Sequence, residues 1–199
     1  MEFDLRKTKK LRIFTVEDDS DFAFLIQATL NREKDMTVVG HAANEEEAFQ
    51  KLPGLSPDLV LMDLNLSSSP SDGILAGRRV RLETDARLVI LSGYEDASIV
   101  VDACKQSFAS GYLFKSQFEI LPEGLRRMAA GPTPQLALIR SLILSDLSAA
   151  EQTVLELMLG ADITLRSSSK TIANQKSSIL KKLGLHSQEE LFHLFRYYQ

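Results

Sequence analysis

Leu59-Val-Leu-Met-Asp63-Leu-Asn-Leu66 is an apolar run broken by one carboxylate, and its reading decides the fold. From Leu59 to Leu64 every residue except Asp63 is aliphatic or Met, the composition of a strand buried on both faces of a helix-covered parallel sheet. A carboxylate is tolerated in such a run when it is paired, holds a metal, or sits at the strand's carboxyl end, where open α/β sheets place their sites. The plainer alternative is an Asp that only caps the strand exit.

The flanking sequence repeats the pattern. Upstream, Leu11–Val16 is β-rich and runs directly into Glu17-Asp18-Asp19. Phe22, Leu25, Ile26, Thr29 and Leu30 then recur at the spacing of an amphipathic helix over Asp21–Arg32. Met36–Ala42 reads as a strand, and Glu45–Leu52 as a helix capped by Asn44 and closed by Pro53-Gly54. Downstream, a Ser-, Pro- and Gly-rich stretch from Ser67 to Gly73 reads as a loop. The pairs that follow are helix Ile74–Glu83 with strand Arg87–Leu91, and helix Ser98–Gln106 with strand Tyr112–Lys115. A last helix, Ile120–Ala130, is stopped by Gly131 and Pro132. Strands alternating with helices predict an α/β fold with a doubly wound, five-stranded parallel sheet whose carboxyl-end loops share one face.

Composition sets the class. The chain has 199 residues, 44% hydrophobic and 25% charged, ordinary for a soluble globular protein of one or two domains. Met1 to Arg12 is charged throughout, and no run approaches the ~20 apolar residues of a membrane span, so a cytoplasmic protein without membrane contact is expected. The single cysteine, Cys104, has no disulfide partner and reads as a small core residue. Residues 1–146 carry 17 Lys+Arg against 22 Asp+Glu, a net of −5, whereas residues 147–199 carry 6 against 5, a net of +1. That weak excess fits a solvated helix face as well as a phosphate-binding one.

The predicted topology gathers distant side chains. Glu17, Asp18 and Asp19, then Asp63, Ser92 and Lys115 fall at the carboxyl ends of the first, third, fourth and fifth strands. Converging carboxylates repel one another, and a hard divalent cation with oxygen ligands and retained waters, Mg²⁺, is the common remedy. With metal and cation present, the Asp63 carboxylate can attack phosphorus to form an acyl phosphate. Lys115 supplies the cation and Ser92 a hydroxyl donor.

Four spaced motifs, Val16-Glu-Asp-Asp-Ser20, Leu61-Met-Asp63-Leu-Asn65, Ile90-Leu-Ser92-Gly93 and Gly111-Tyr112-Leu-Phe-Lys115, make residues 10–131 resemble a response-regulator receiver domain of flavodoxin-like fold. The resemblance implies that Asp63 accepts a phosphoryl group from a sensor histidine kinase. It implies metal ligation by Asp18, Asp63 and the backbone carbonyl of Asn65, with Glu17 acting through water. Ser92 would turn toward the phosphate and Tyr112 would follow into the space it leaves. Receivers usually carry a Pro four residues beyond the phosphoacceptor, where this chain has Ser67, and their Gly-containing turn arrives about two residues later here, at Asp72-Gly73. Asp19 and Asp21 add further negative charge near the pocket.

The tail reads as a second, small all-α domain. Residues 132–146 form a linker: two prolines stiffen Gly131-Pro-Thr-Pro134, and the apolar stretch Leu136–Leu144 packs between domains or against a second copy. From Leu147, Ser148 and Glu151 make a capping box ahead of Val154, Leu155, Met158 and Leu159. Helices then follow at 170–183, with Ile172, Ile179, Leu180 and Leu183 inward, and at 187–198. Residues 147–199 resemble the helix-turn-helix output domain of the LuxR/NarL group of regulators. That resemblance implies a helix at 170–183 in the major groove and a last helix that mediates homodimerisation. Asn174 and Lys176 are the candidate base readers, and Lys170, Lys181 and Lys182 the candidate phosphate contacts. The group's scaffold helix is cut short by about six residues, leaving Ala161–Ser169, with Leu165 at its last core position and Ser167 at an apolar turn position.

Two function classes follow. One is a phosphorylation-controlled transcription regulator that binds DNA. The other is a phosphorylation-controlled interaction or dimerisation module whose shortened helix-turn-helix no longer binds DNA. An aspartyl-phosphate hydrolase is not expected, because Asp63-Leu64-Asn65 lacks the second Asp that such enzymes use as acid and base.

Overall fold

The computed structural model describes residues 9–66, 69–164 and 167–198. They form two compact units, Met1–Gly131 and Pro132–Gln199.

The first unit alternates strands and helices: β1 (Leu11–Val16), α1 (Ser20–Arg32), β2 (Met36–Ala42), α2 (Glu45–Leu55), β3 (Leu59–Met62), α3 (Pro70–Glu83), β4 (Arg87–Ser92), α4 (Ala97–Ser107) and β5 (Gly111–Phe114). A 3₁₀ segment, Lys115–Ile120, then leads into α5 (Leu121–Ala130). All pairings are parallel, in the order β2-β1-β3-β4-β5. The central strands β3 and β4 bury both faces. Ile13, Leu59, Leu61, Val89 and Leu91 pack with Ile26 and Leu30 of α1 and Leu121, Leu125 and Met128 of α5. The alternate residues Phe14, Val60, Met62, Leu88 and Ile90 point to the other face and are equally buried.

Several boundaries differ from expectation; the last helix of the chain, for one, ends at Phe195 rather than at 198. Helix α2 does not stop at Leu52 but runs through Pro53 to Leu55. Proline removes one backbone donor only in the last turn, and the orphan Leu55 carbonyl accepts from the Arg12 guanidinium at 2.7 Å. Helix α3 begins at Pro70, inside the stretch read as a loop. Ser69 caps it and proline takes a first-turn position, where its missing N–H costs nothing. Lys115 opens the 3₁₀ segment rather than ending β5, and α5 proper begins at Leu121.

The second unit contains α6 (Pro134–Leu144), α7 (Ala149–Met158), α8 (Ser169–Leu183) and α9 (Gln188–Phe195). Segment 132–146, read as a linker, is part of this compact unit. The reason is the apolar α6, which buries Leu136, Ile139 and Ile143 and whose Arg140 pairs with Glu156 of α7. No helix lies in the described residues between α7 and α8 (159–164, 167 and 168); Leu165 falls outside them, and Ser167 is exposed. No helix among the described residues is long and apolar enough to cross a membrane.

Candidate functional site

The candidate site lies where the strands end. β1 stops at Val16, leaving Glu17; β3 stops at Met62, leaving Asp63; Ser92 closes β4, and Lys115 follows β5. Val16 pairs with Met62, and Ile90 with Tyr112, so these ends are neighbours across the sheet. The strand order changes direction between β1 and β3, the crevice where open α/β sheets bind ligands, and Glu17 and Asp63 flank it.

Lys115 ties the acids together. Its ammonium donates to Asp63 Oδ2 at 2.7 Å and to Glu17 Oε1 at 2.8 Å, and lies 4.4 Å from the centre of the Phe22 ring. Glu17 and Asp63 are 2% and 3% exposed, so two buried carboxylates share one cation. Burial pushes the Glu17 carboxyl up to about 7, with the Lys115 hydrogen bond opposing and the Asp63 charge adding to the rise. Asp63 Oδ1 is buried without a hydrogen-bond partner. An unmatched buried oxygen costs about 1–3 kcal/mol. Asp18, exposed at the rim, contributes a carboxylate oxygen, and single oxygens of Glu17, Asp18 and Asp63 all lie within 4.8 Å of one another. This is an oxygen-only donor set with surplus negative charge and an open lone pair, and it fits a hard divalent cation.

Asp19 has a separate task. It is exposed and caps α1, accepting from the Asp21 and Phe22 amides at 2.9 and 3.0 Å, and those bonds hold its carboxyl below the usual range. Asp21 is exposed in the first turn of α1.

Ser92 is fully buried, and Tyr112 is buried at 5% exposure. The Tyr112 hydroxyl donates to the Tyr94 carbonyl at 2.8 Å. Burial pushes this phenol up to about 12, against a hydrogen bond with Ser92 that lowers it. The resemblance has Tyr112 moving inward on activation; in this structure the residue is buried. Ser116 Oγ donates to Glu95 at 2.5 Å, a second link between the segments following β4 and β5. Cys104 is buried, and desolvation pushes its thiol up to about 12, as suits a core residue.

Gly73, read from the sequence as part of a displaced Gly-containing turn, lies instead in the first turn of α3. A β-carbon built there meets Leu64 Cα at 2.4 Å, the Leu64 carbonyl oxygen at 2.6 Å and the Asp63 carbonyl oxygen at 2.7 Å. Only glycine lets α3 seat its first turn against the backbone of Asp63 and Leu64; Asn65, next in the chain, is exposed. The sequence signal was a glycine just inside a Ser-Pro helix start.

Among the DNA-contact candidates, Lys170, Asn174 and Lys181 are exposed on α8, and Lys176 is half-buried. Lys170, Asn174 and Lys181, with Ser177 between them, lie on one side at helical spacing. Lys182 is different. Its ammonium donates to Glu151 Oε2 at 2.7 Å and to the Asp146 carbonyl at 3.2 Å.

The raised Glu17 carboxyl has a measurable consequence. Its folded form holds the proton more tightly than the unfolded chain, whose carboxyl has the ordinary value of 4.5. The stability it contributes is full below pH 4.5 and is lost as pH rises through about 7. Metal-free protein therefore loses thermal stability between pH 5 and pH 8, and Glu17→Gln removes that part of the slope. Parallel melting curves at the two pH values, unchanged in slope by the substitution, would refute this.

A paired acid cluster at the switch point of a 2-1-3-4-5 sheet, with a lysine bridging it, is the arrangement expected of a receiver domain. The response regulator receiver domain family matches residues 13–123, and the protein belongs to that family. It is 29% identical over 190 residues to the uncharacterized transcriptional regulatory protein YvfU of Bacillus subtilis, covering 90% of this chain and 94% of that one. Among solved structures it is similar to a LuxR-family two-component response regulator from Aurantimonas (TM-score 0.57, 27% identity), covering 69% of this chain and 98% of that one. It shares its fold with RcsB from Salmonella enterica serovar Typhimurium bound to a promoter in the presence of a phosphomimetic (TM-score 0.57, 20% identity), covering 94% of this chain and 99% of that one.

Proposed function

We propose that this chain is a cytoplasmic response regulator that accepts a phosphoryl group on Asp63 from a sensor histidine kinase. It then acts on transcription by binding DNA as a homodimer through α8. The observation that carries the reading is the Asp63 carboxylate: one oxygen held by Lys115, the other buried and unmatched, beside Glu17 and Asp18.

In this reading the free Asp63 oxygen attacks phosphorus as the bond to the donor imidazole nitrogen breaks, and the leaving imidazole takes up a proton. Lys115 is already in place to meet charge developing on the phosphoryl oxygens, and buried Ser92 offers its hydroxyl to one of them. Mg²⁺ held by Asp18, Asp63 and the Asn65 carbonyl, with Glu17 through water, would supply the remaining charge neutralisation. Asp63 cannot turn freely, because Lys115 and the backbone packed on Gly73 fix it. DNA binding draws support from the exposed Lys170, Asn174 and Lys181, and from the relatives named as transcriptional regulators.

The second reading, a dimerisation or docking module, is favoured by two observations. The described part of the α7–α8 connection holds no helix, and Lys182 is engaged within the unit. A gel shift with random-sequence duplex DNA at low salt, with and without beryllofluoride, separates them. DNA binding predicts a shift that strengthens with the phosphate mimic and weakens steeply with salt. Absence of any shift at low salt selects the docking module.

A further inference from the structure

We infer that Glu151 and Lys182 are positioning residues that set the rotation of α8, and that Lys182 is not a phosphate contact. The inference rests on the DNA-binding reading above and deepens it.

Glu151 sits in the first turn of α7, only 6% exposed. Its carboxylate accepts from the Ser148 amide at 2.8 Å, from the Ser178 hydroxyl at 2.7 Å and from the Lys182 ammonium at 2.7 Å. A residue that completes a capping box on its own helix thus also grips α8 at two points one turn apart. Lys182 adds a bond to the Asp146 carbonyl just ahead of α7. The apolar packing between these helices, Val154 and Leu155 with Ile179 and Leu183 among the buried residues, is non-directional and tolerates rotation of α8 about its axis. Charged hydrogen bonds are directional and do not.

That distinction has weight here because no helix in the described part of the α7–α8 connection braces α8. The clamp falls to half-buried Ser178 and to Lys182, whose side chain is 40% exposed but whose ammonium is held by Glu151, whereas Lys170, Asn174, Ser177 and Lys181 lie exposed along another side of the helix. Lys181 and Lys182 are adjacent in sequence, but a helix turns about 100° per residue, so the two ammonium groups serve different surfaces. The hydrogen bonds from Lys182, Ser148 and Ser178 also hold the Glu151 carboxyl down at about 2, so it stays charged wherever the protein works.

Full-length protein is titrated with a fluorescent random-sequence duplex in KCl from about 50 to about 200 mM, where phosphate contacts dominate the salt dependence. Lys181→Gln should lower the slope of log Kd against log salt by about one. Lys182→Gln should weaken binding about tenfold at every salt concentration and leave the slope unchanged. Lys182→Arg, which keeps a donor for Glu151, should restore binding. Glu151→Gln should match Lys182→Gln, and the double variant should be no weaker than either single one, because both remove the same clamp. Hydrogen exchange supplies the second readout: both single variants should speed amide exchange across 169–183, and Lys181→Gln should not. A slope lowered by about one in Lys182→Gln, or normal affinity in Glu151→Gln, would overturn the inference. If the wild-type chain binds no duplex at low salt, the DNA-binding reading fails separately. Exchange then decides the clamp, and unaltered exchange in Glu151→Gln rejects it.

Discussion

Asp63→Asn abolishes acyl-phosphate labelling by acetyl phosphate while leaving the receiver unit folded. The amide nitrogen's lone pair is delocalised into the carbonyl and the neutral amide oxygen is a poor nucleophile, so the loss should be complete to the limit of detection. Stability should barely move, because two effects oppose each other. Removing the charge forfeits a hydrogen bond from Lys115 between charged groups, worth about 1.5–3 kcal/mol. It also relieves repulsion with Glu17, whose nearest carboxylate oxygen lies within 4.8 Å. At an effective dielectric near 20 that repulsion is about 3 kcal/mol once Glu17 is ionised, above its raised titration near 7. The net change should stay within about 1 kcal/mol, read from denaturant unfolding. Labelling that survives the substitution would place the acceptor elsewhere; a large loss of stability would mean that the Lys115 bond outweighs the repulsion.

Gly73→Ala should be the most damaging small change in the receiver. In a helix, alanine gains about 1 kcal/mol over glycine from propensity alone, so a position free of contacts would be stabilised. Here the new β-carbon would lie 2.4–2.7 Å from backbone atoms of Asp63 and Leu64, which cannot rotate out of the way. Overpacking of this kind costs about 1–3 kcal/mol or more, and the sign is decided by the clash. Either the first turn of α3 unwinds or the segment carrying Asp63 moves. Unfolding in urea should report the lost stability, and the rate of labelling at Asp63 should fall with it. A variant that melts higher and labels normally would show that α3 does not depend on this close approach.

The central strands were legible because they bury both faces, leaving apolar runs such as Leu59–Met62 and Leu88–Leu91 with few rivals. The carboxyl-end residues Glu17, Asp63, Ser92 and Lys115 followed from that order. The start of α3 was hidden because Ser69, Pro70 and Gly73 have the composition of a loop, although a serine cap followed by proline is also how helices begin. The division of labour within Glu17-Asp18-Asp19 was not legible, since three adjacent acids look alike until Asp19 is seen capping α1. The engagement of Lys182 with Glu151 was not legible either. The two lie 31 positions apart, and nothing in the local pattern joins them. The apolar α6 was read as a connector because its partner surface exists only after the second unit has formed.

The Lys115 bridge also dictates when the pocket comes into being. Its bond to Glu17 spans 98 positions of chain and its bond to Asp63 spans 52. A ribosome delivers both acids well before the base, and the cation that reconciles them arrives only with the final strand of the sheet. Contacts of such long sequence separation form late, after the loop-closure entropy of the whole topology has been met. No fragment ending before residue 115 therefore contains the Lys115 bridge, and in the proposed reading the acceptor is complete only once the fifth strand has docked.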